Sequence, residues 1–349
     1  MSPPSAPGAL GRRDFLRLAG LAGLVGGGLA GAGALAACSS APSQPPPTPA
    51  GTAGAGKTIA ISLNGNNAYS GYVAEGVLKE LDGTGYGFAG VQNNFDSSVE
   101  LGNVQNLLSQ GIAGLVVLPA DAGTIAKAAQ LAKQQNIAVG NALWPGPSAA
   151  DQDFAGVAAL DSVAGGRMIG DWLKANSTPG PVVVVQGILG QGFSERIDQG
   201  LDASLAGSGF QVVVREQGFF EREKATTIVE SALQAHPDAR AIVSYSASMS
   251  NGIAALLKAK NLTNIAHVSS DGDDEMFTWL GTPYLRACRY YSAGQTGVLA
   301  AKAVRGVLEG HPEPFQGTVE QQIITGDTAK AAIAANPYRY AQYAAKARI

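Results

Sequence analysis

Residues 181–205 have the sequence PVVVVQGILGQGFSERIDQGLDASL, in which a run of four valines precedes an amphipathic segment. The valines at 182–185 show no alternation of apolar and polar positions, which is typical of a strand covered on both faces. The segment 191–205 has the apolar spacing of a helix. This strand-helix unit predicts a parallel sheet flanked by helices, because parallel strands need long crossover connections.

The same alternation recurs from residue 57 to residue 325, with a Pro/Gly-rich break at 144–148. These strands are too many for one comfortable sheet, so we expect an α/β fold with two doubly wound parallel-sheet lobes. Ligands of such sheets bind at the carboxyl ends of the strands. The predicted strands are 58–63, 89–93, 113–118, 137–141, 157–160, 182–186, 211–216, 241–245, 265–269, 285–290 and 318–324.

The first fifty-six residues differ in composition from the rest of the chain. Arg12 and Arg13 begin a twin-arginine signature, and an apolar Gly/Ala-rich run leads to Leu-Ala-Ala-Cys, which ends at Cys38. This ending resembles the lipobox of bacterial lipoproteins, since small residues admit a peptidase and the thiol can take a diacylglycerol. A transmembrane anchor is the alternative, because about twenty residues can span a bilayer. The position of the cysteine favours a cleaved twin-arginine lipoprotein signal peptide at 1–37.

The segment 38–56 is rich in Pro, Ala, Gly and Ser, and it predicts a lipidated tether between a membrane and the folded body. Removal of residues 1–37 takes away three arginines and one aspartate, which changes the net charge from −3 to about −5. The motif GTAGAGKT at 51–58 matches a P-loop, but a proline-rich spacer precedes it and a predicted strand follows it. We therefore expect an extracytoplasmic, lipid-anchored protein that binds no nucleotide there.

Composition narrows the class of function. A charged fraction of 15% and a slightly acidic balance do not provide the basic surface of a nucleic-acid binder. Cys38 and Cys288 cannot form a thiolate metal site, and His236, His267 and His311 have no metal-ligand spacing. The sequence also has no G-x-S-x-G nucleophile motif. We expect a binding protein with no cofactor and no metal, and not an enzyme.

Short segments at the predicted strand ends carry a family resemblance. They are NNAY at 66–69, ELGNVQ at 100–105, LPAD at 118–121, LDSVAGG at 160–166, QGI at 186–188, AHPDARAI at 235–242 and SDG at 270–272. Their order and spacing resemble the ribose- and galactose-type periplasmic substrate-binding proteins of the LacI-like type I family of ABC transporters. The LacI-type repressors share that fold, but they carry a DNA-binding helix-turn-helix where this chain has an export signal.

The resemblance implies two lobes joined by three crossing segments, which close by hinge motion over one small molecule. On this pattern the N-terminal lobe comprises 57–160 plus 292–325, and the C-terminal lobe comprises 161–291 plus 326–349. The loaded protein, expected to be a monomer, would deliver a small neutral ligand to an ABC permease. Sensing for a membrane kinase or chemoreceptor is the alternative use of the same closure.

Residues after the predicted strands are the candidate ligand contacts. The resemblance places Asn67 and Tyr69 against the ligand, and the Asp271 carboxylate could accept hydrogen bonds from two ligand hydroxyls. Their alternatives are a turn residue for Asn67, helix packing for Tyr69 and a helix N-cap for Asp271. Further candidates, each of which could instead pack within a lobe, are Trp144, Phe219, Phe220, Tyr245, Ser246 and Tyr291.

The chain departs from the family pattern where sugar binders carry charge. Leu143 and Trp144 stand in place of an Asp-Arg pair, and Tyr291 replaces a glutamine. Ile197 stands at the position of a usual arginine, with Arg196 one residue off. The predicted pocket is therefore aromatic, apolar and sparsely charged. A sugar or polyol is the favoured ligand, a less polar ring-bearing molecule competes with it, and phosphorylated or carboxylated ligands are disfavoured.

Overall fold

The computed structural model describes residues 54–144 and 146–349, and for Trp144 it describes the backbone but not the side chain. The predicted signal peptide, Cys38 and the first part of the predicted tether lie outside the described residues. Within the described part of the chain, no helix is long and apolar enough to cross a membrane.

The described residues alternate strands and helices along almost their whole length. In chain order the elements are β1 Thr58–Leu63, α1 Ala68–Leu81, β2 Gly87–Gln92, α2 Ser97–Ser109, β3 Gly114–Val117, α3 Ala122–Lys133, β4 Ala138–Trp144, β5 Gly156–Ala159, α4 Ser162–Asn176, β6 Pro181–Gln186, α5 Phe193–Leu205, β7 Gln211–Gln217, α6 Arg222–Ala235, β8 Ala241–Ser244, α7 Ala247–Ala259, β9 Ala266–Ser270, α8 Met276–Trp279, β10 Ala287–Tyr291, α9 Ala293–Glu309, β11 Gln316–Thr318, β12 Gln321–Ile324 and α10 Ala329–Ala335.

These strands form two six-stranded sheets, one for each lobe. The first has the order β11-β5-β4-β3-β1-β2, and the second has the order β12-β10-β9-β8-β6-β7. Neighbouring strands are parallel except β10 and β12, which are antiparallel. The two sheets and their flanking helices confirm the predicted α/β fold with two doubly wound lobes.

A polar residue between strand and helix fixes the position at which each of α1, α2, α3 and α4 begins. The side chains of Asn67, Asp96, Asp121 and Asp161 each accept a backbone N–H at the start of α1, α2, α3 and α4. A polar N-cap satisfies donors that the first helical turn leaves unpaired. Each strand-to-helix loop at the carboxyl edge of the first sheet is thereby anchored, and these loops face the second lobe.

Helix pairs in both lobes cross at glycines, which accounts for part of the high glycine content. A β-carbon at Gly76 on α1 would lie 2.0 Å from the carbonyl oxygen of Gly294 on α9. In the second lobe, a β-carbon at Gly200 on α5 would lie 1.9 Å from the carbonyl oxygen of Val163 on α4. Both distances are far below van der Waals contact, so any larger residue would separate the helices.

The end of the chain differs from the sequence expectation in two respects. The predicted strand 318–324 is two strands, because the chain leaves the first sheet after β11 and enters the second as β12. Helix α10 packs on the second lobe, where Ala332 joins a cluster with Met276 and Tyr290. The following residues then return to the first lobe, where the N–H of Tyr340 donates to Glu75 on α1. The segment 326–349, which was expected in the C-terminal lobe, therefore contacts both lobes.

Candidate functional site

A cavity of about 70 Å³ lies between the carboxyl edges of the two sheets. It exceeds the space that one water needs, roughly 10–15 Å³ by the same kind of measure. The lining residues come from both lobes: Asn64, Asn67, Ala68, Tyr69, Phe95, Leu143, Gln191, Phe193, Phe220, Tyr245, Ser246, Ala247, Ser248, Asp271, Gly272, Asp273 and Tyr291.

On the first lobe, two asparagines and a tyrosine face this cavity. The Asn67 carboxamide oxygen accepts the Ser70 N–H at 3.0 Å, so the predicted turn role and the predicted cavity position both apply to it. Its amide nitrogen donates to no described residue. Asn64 donates to the Pro119 carbonyl at 3.1 Å and accepts from the Ser70 hydroxyl at 3.1 Å. Asn67 is therefore the asparagine with a free donor for a bound molecule.

Tyr69 presents both a ring and a hydroxyl to the site. Its buried hydroxyl lies beside the Thr296 and Tyr291 hydroxyls without a well-formed hydrogen bond to either, and burial raises its pKa well above the usual value. Its ring meets the Tyr291 ring edge to face, with centroids 6.1 Å apart. A buried hydroxyl without a partner loses its water hydrogen bonds, so a ligand oxygen at that point would restore one.

On the second lobe, Asp271 is the more buried of the two carboxyl groups that line the cavity. It is 7% exposed, has a φ of 56°, and accepts the Ala247 N–H at 2.7 Å through Oδ1. Its second carboxyl oxygen makes no hydrogen bond to a described residue. Burial raises the pKa of Asp271 well above its usual range. It supports the start of α7, not the helix after its own strand, where Asp273 accepts the Met276 N–H instead.

The remaining second-lobe residues provide rings and hydroxyls. The Tyr245 hydroxyl donates to Asp198 at 2.5 Å, so it is already used within the lobe. The Ser246 hydroxyl oxygen caps α7 by accepting the Met249 N–H at 3.4 Å, which leaves its proton available. Phe220 lies at the edge of the cavity and contributes only its ring.

A buried arginine lies behind the aromatic wall. Arg289 is fully buried, and its Nε donates to the Gln321 side-chain oxygen at 2.8 Å. Its guanidinium lies 4.9 Å from the centroid of Tyr291 and 5.7 Å from that of Phe193. No carboxylate of the described residues is within 4.0 Å of it. Burial lowers its pKa, and the ring faces stabilise its charge.

Most predicted site residues meet in this cavity, although their role in ligand binding stays a prediction. Phe219 is the exception: its side chain is 38% exposed, and the Lys224 ammonium lies 4.4 Å from its ring centroid. The turn that directs Phe220 inward directs its neighbour outward. The side chain of Trp144 lies outside the described part of the structure.

Sequence reasoning missed several lining residues, among them Asn64, Phe95, Gln191 and Phe193. Each follows a strand by one to seven residues, so the rule that ligands bind at carboxyl ends of strands could have found them. None of them belongs to the segments that carry the family resemblance. Of these four residues, Phe95 and Phe193 have the largest apolar side chains.

The remaining nucleophilic and titratable groups of interest do not line this cavity. Cys288 is buried and donates to the Asp271 carbonyl at 2.8 Å. His267 is buried between Ser244 and the Tyr284 carbonyl, and burial lowers its pKa to about 4. Among the described residues, no group of three or more His, Cys, Asp or Glu side chains could hold a metal ion.

Comparisons with known proteins agree with this architecture. A sequence profile described as "Periplasmic binding protein domain" matches residues 59–312. The ribose import binding protein of Escherichia coli (strain K12) is 25% identical over 260 residues, which cover 74% of this chain and 87% of that protein. The xylitol-binding protein of Mycolicibacterium smegmatis is 25% identical over 188 residues, which cover 52% of each chain.

Two solved structures show the same fold. A solute-binding protein from Bacillus halodurans with bound myo-inositol superposes with a TM-score of 0.73 at 16% identity, covering 80% of this chain and 98% of that chain. One from Mycobacterium smegmatis with bound glycerol gives 0.71 at 22% identity, covering 79% and 96%. These likenesses and the relatives confirm the resemblance inferred from the strand-end segments. Because the profile spans well over half of the sequence, the chain belongs to the periplasmic binding protein domain family.

Proposed function

We propose that this protein binds a small neutral sugar or polyol between its lobes and delivers it to an ABC permease outside the cytoplasm. The observation that carries the proposal is a cavity between the lobes in which a buried carboxyl group, Asp271, lies among aromatic rings. The named ligands of the relatives, ribose and xylitol, belong to the same chemical class.

The lining suits a molecule that has both hydroxyl groups and C–H faces. Rings pack against the C–H faces of a sugar or polyol. The free carboxyl oxygen of Asp271, the amide of Asn67 and the hydroxyl of Ser246 can pair with ligand hydroxyls. No lysine, arginine or histidine is among the lining residues described, so an anionic ligand would find no cation in contact. The small cavity favours a monosaccharide or a short polyol over an oligosaccharide.

The test is a thermal-shift screen of the purified protein followed by calorimetry. The panel holds glycerol, xylitol, D-ribose and myo-inositol, with ribose 5-phosphate as the anionic control and indole as the less polar, ring-bearing competitor. A bound ligand raises the melting temperature by mass action. We expect a shift with at least one neutral polyhydroxylated compound and none with the phosphate. A shift with indole alone would overturn the proposed ligand class.

Transport and sensing are separated by an uptake assay. Cells lacking the gene should lose uptake of the radiolabelled ligand found in the screen, and the plasmid-borne gene should restore it. Unchanged uptake together with a lost transcriptional or chemotactic response would contradict delivery to a permease and favour sensing.

We also propose that the chain is exported by its twin-arginine signal and anchored through lipid on Cys38. The Leu-Ala-Ala-Cys sequence and the Pro-rich segment that follows support this. Cys38→Ser should move the protein from the membrane fraction to the soluble fraction, because the variant has no thiol to carry the acyl chains. A Cys38→Ser protein that still sediments with membranes would refute the lipid anchor.

A further inference from the structure

The two lobes carry matching turns after their second strands. In the first lobe, Asn94 and Phe95 have φ values of 52° and 62°, and the Asp96 N–H donates to the Asn93 carbonyl at 3.0 Å. A hydrogen bond that closes a four-residue turn with two positive φ values is the pattern of a type I′ turn. Phenylalanine is an unfavourable residue in this left-handed region.

The second lobe repeats this geometry. Phe219 and Phe220 have φ values of 56° and 62°, and the Glu221 N–H donates to the Gly218 carbonyl at 2.8 Å. Each turn therefore places a phenylalanine at its third position, although a positive φ is sterically unfavourable for this residue. Strained backbone of this kind persists where the surroundings fix it, and it marks positions worth testing for function.

Each of these two rings rests on a glycine that follows the first strand of its own lobe. A β-carbon at Gly65 would lie 2.7 Å from the Phe95 ring, and one at Gly187 would lie 2.1 Å from the Phe220 ring. Any other residue at either position would push the ring away. The two glycines thus leave the space in which both rings lie at the cleft.

The rings of Phe95 and Phe220 meet across the cleft. Their centroids are 5.8 Å apart with an interplanar angle of 33°, within the range of stabilising aromatic pairs. Both side chains are half-buried, whereas Asp271 and Tyr291 deeper in the cavity are 7% and 2% exposed. The pair therefore lies on the solvent side of the cavity, where a ligand would enter.

Polar contacts hold the first-lobe turn in place. The buried Glu100 carboxylate accepts from the Asn93 amide at 2.8 Å and from the Ala120 N–H at 2.7 Å. The Asn93 carboxamide oxygen in turn accepts the Phe95 N–H at 2.9 Å. The backbone that carries Phe95 is thus tied to the ends of two strands, which fixes the position of its ring.

We propose that Phe95 is a specificity-determining residue that, together with Phe220, closes the mouth of the cavity and limits the length of the bound molecule. This rests on the proposed function, because it requires a sugar or polyol in the cleft. A short polyol fits beneath the ring pair and gains contact with both faces. A longer molecule has to separate the rings, which removes their contact with each other and with the ligand.

The test measures dissociation constants by calorimetry for the full chain and for Phe95→Ala. The probes are xylitol, D-ribose and myo-inositol, with the disaccharide alcohol maltitol as the oversized probe. Loss of one ring contact should weaken binding of the best small probe by about tenfold. The affinity for maltitol should fall less or rise. The ratio of the maltitol dissociation constant to that of the small probe should therefore fall by about tenfold.

Phe219→Ala is the matched control. Phe219 precedes Phe220 in the second-lobe turn and also has a positive φ, but its ring does not line the cavity. Phe219→Ala should keep wild-type constants for all probes. Phe95→Leu keeps the apolar bulk of the side chain, and it should narrow the preference by less than Phe95→Ala. If Phe95→Ala does not fold, Phe95→Leu decides the test through the same ratio.

The outcomes separate the two proposals. If the wild-type protein binds none of the small probes, the proposed function fails and this inference fails with it. If the wild-type protein binds a small probe but folded Phe95→Ala and Phe95→Leu both keep the wild-type preference over maltitol, only the role of Phe95 is overturned.

Discussion

The lobes meet in two chemically different ways, at the cavity mouth and at the C-terminal segment 336–349. At the mouth, the contact is the apolar ring pair of Phe95 and Phe220. At the C-terminal segment, the Arg339 guanidinium bridges Glu75 on the first lobe at 3.1 Å and Asp274 on the second lobe at 2.6 Å. The first contact has little directionality, whereas the second requires a fixed position of three side chains.

This difference bears on how the lobes can separate. When the rings part, they expose apolar surface, and the nearby polar contacts that break are long hydrogen bonds between neutral groups, from the Ala122 N–H to the Gly190 carbonyl and from the Gln191 amide to the Pro119 carbonyl, both at 3.4 Å. When Arg339 leaves Glu75, a carboxylate whose side chain is only 4% exposed loses its cation. Breaking a buried ion pair by removing one partner is strongly destabilising. The mouth is therefore suited to open for a ligand, and the C-terminal segment is suited to hold the lobes in one arrangement.

Backbone and side-chain contacts make the C-terminal segment a fourth connection, where the family resemblance implies three. The Gly294 N–H at the start of α9 donates to the Tyr338 carbonyl at 3.0 Å. The Tyr340 N–H donates to Glu75 at 2.8 Å, and the Tyr343 hydroxyl donates to Asp82 at 2.8 Å. The segment thus lies along α1 after it has left the second lobe.

The largest effect is expected for Arg339→Ala. Removal of the guanidinium leaves the buried Glu75 carboxylate with only the Tyr340 N–H, so unfolding free energy should fall by about 3 kcal/mol. Urea denaturation measures it. Arg348→Ala, in the same segment and exposed, should change the free energy by less than about 0.5 kcal/mol. Equal losses in both variants would contradict a special role of the ion pair.

The next effect concerns ligand binding in the cavity beneath the mouth. Asp271→Asn keeps an acceptor for the Ala247 N–H, and asparagine tolerates the left-handed φ of 56°. It removes one carboxyl oxygen that can accept from ligand hydroxyls, so affinity for the best small probe should fall at least tenfold, or about 1.5–3 kcal/mol. Calorimetry measures it. Asp238→Asn, at an exposed position, is the control and should bind the probe as the wild type does. Unchanged affinity in Asp271→Asn would show that Asp271 does not contact the ligand.

The strand-helix repeat was predictable because its signal is local. The predicted strand 58–63 and the predicted strand 182–186 differ from β1 and β6 by at most one residue, since buried apolar runs and polar N-caps mark such elements. The crossing at 319–320 was missed because no glycine or proline interrupts the sequence between β11 and β12. A change of sheet there depends on pairing with distant strands, which periodicity does not report.

The site was predictable where a residue follows a strand directly and less so elsewhere. Asp271 immediately follows β9, and its place in the cavity follows from the topology. Phe95 reaches the cavity only because a turn with positive φ values reverses the chain. Arg339 contacts Glu75 across 264 residues of sequence, and no local pattern indicates such a partner.

A smaller effect is expected at Glu100, which supports the mouth but not the C-terminal segment. Burial raises the pKa of Glu100 to about 7 from its ordinary 4.5. The folded protein then binds a proton more tightly than the unfolded chain does, so this group makes stability fall as pH rises from about 5 to about 8. Glu100→Gln cannot titrate, and it should reduce that fall by about 1–2 kcal/mol.

Urea denaturation at several pH values between 5 and 8 measures this change. Glu223→Gln on the exposed start of α6 is the control and should leave the slope with pH as in the wild type. Identical slopes in Glu100→Gln and the wild type would show that Glu100 does not titrate in this range. The same variant should also leave the effect of Arg339→Ala unchanged, because the two sites share no contact.

The smallest effect tests whether burial accounts for the strength of the Arg339 contact. Arg222 and Glu275 form an ion pair with one N–O distance of 3.0 Å, but their side chains are 46% and 47% exposed and both belong to the second lobe. Exposed pairs contribute about 0–1 kcal/mol and are screened by salt. Arg222→Ala should therefore lower the unfolding free energy by about 0.5 kcal/mol in low salt and by less in 1 M NaCl. Arg339→Ala should lower the unfolding free energy by a similar amount in low salt and in 1 M NaCl. A loss at Arg222 as large as at Arg339 would mean that the burial of Glu75 does not account for the strength of the C-terminal contact.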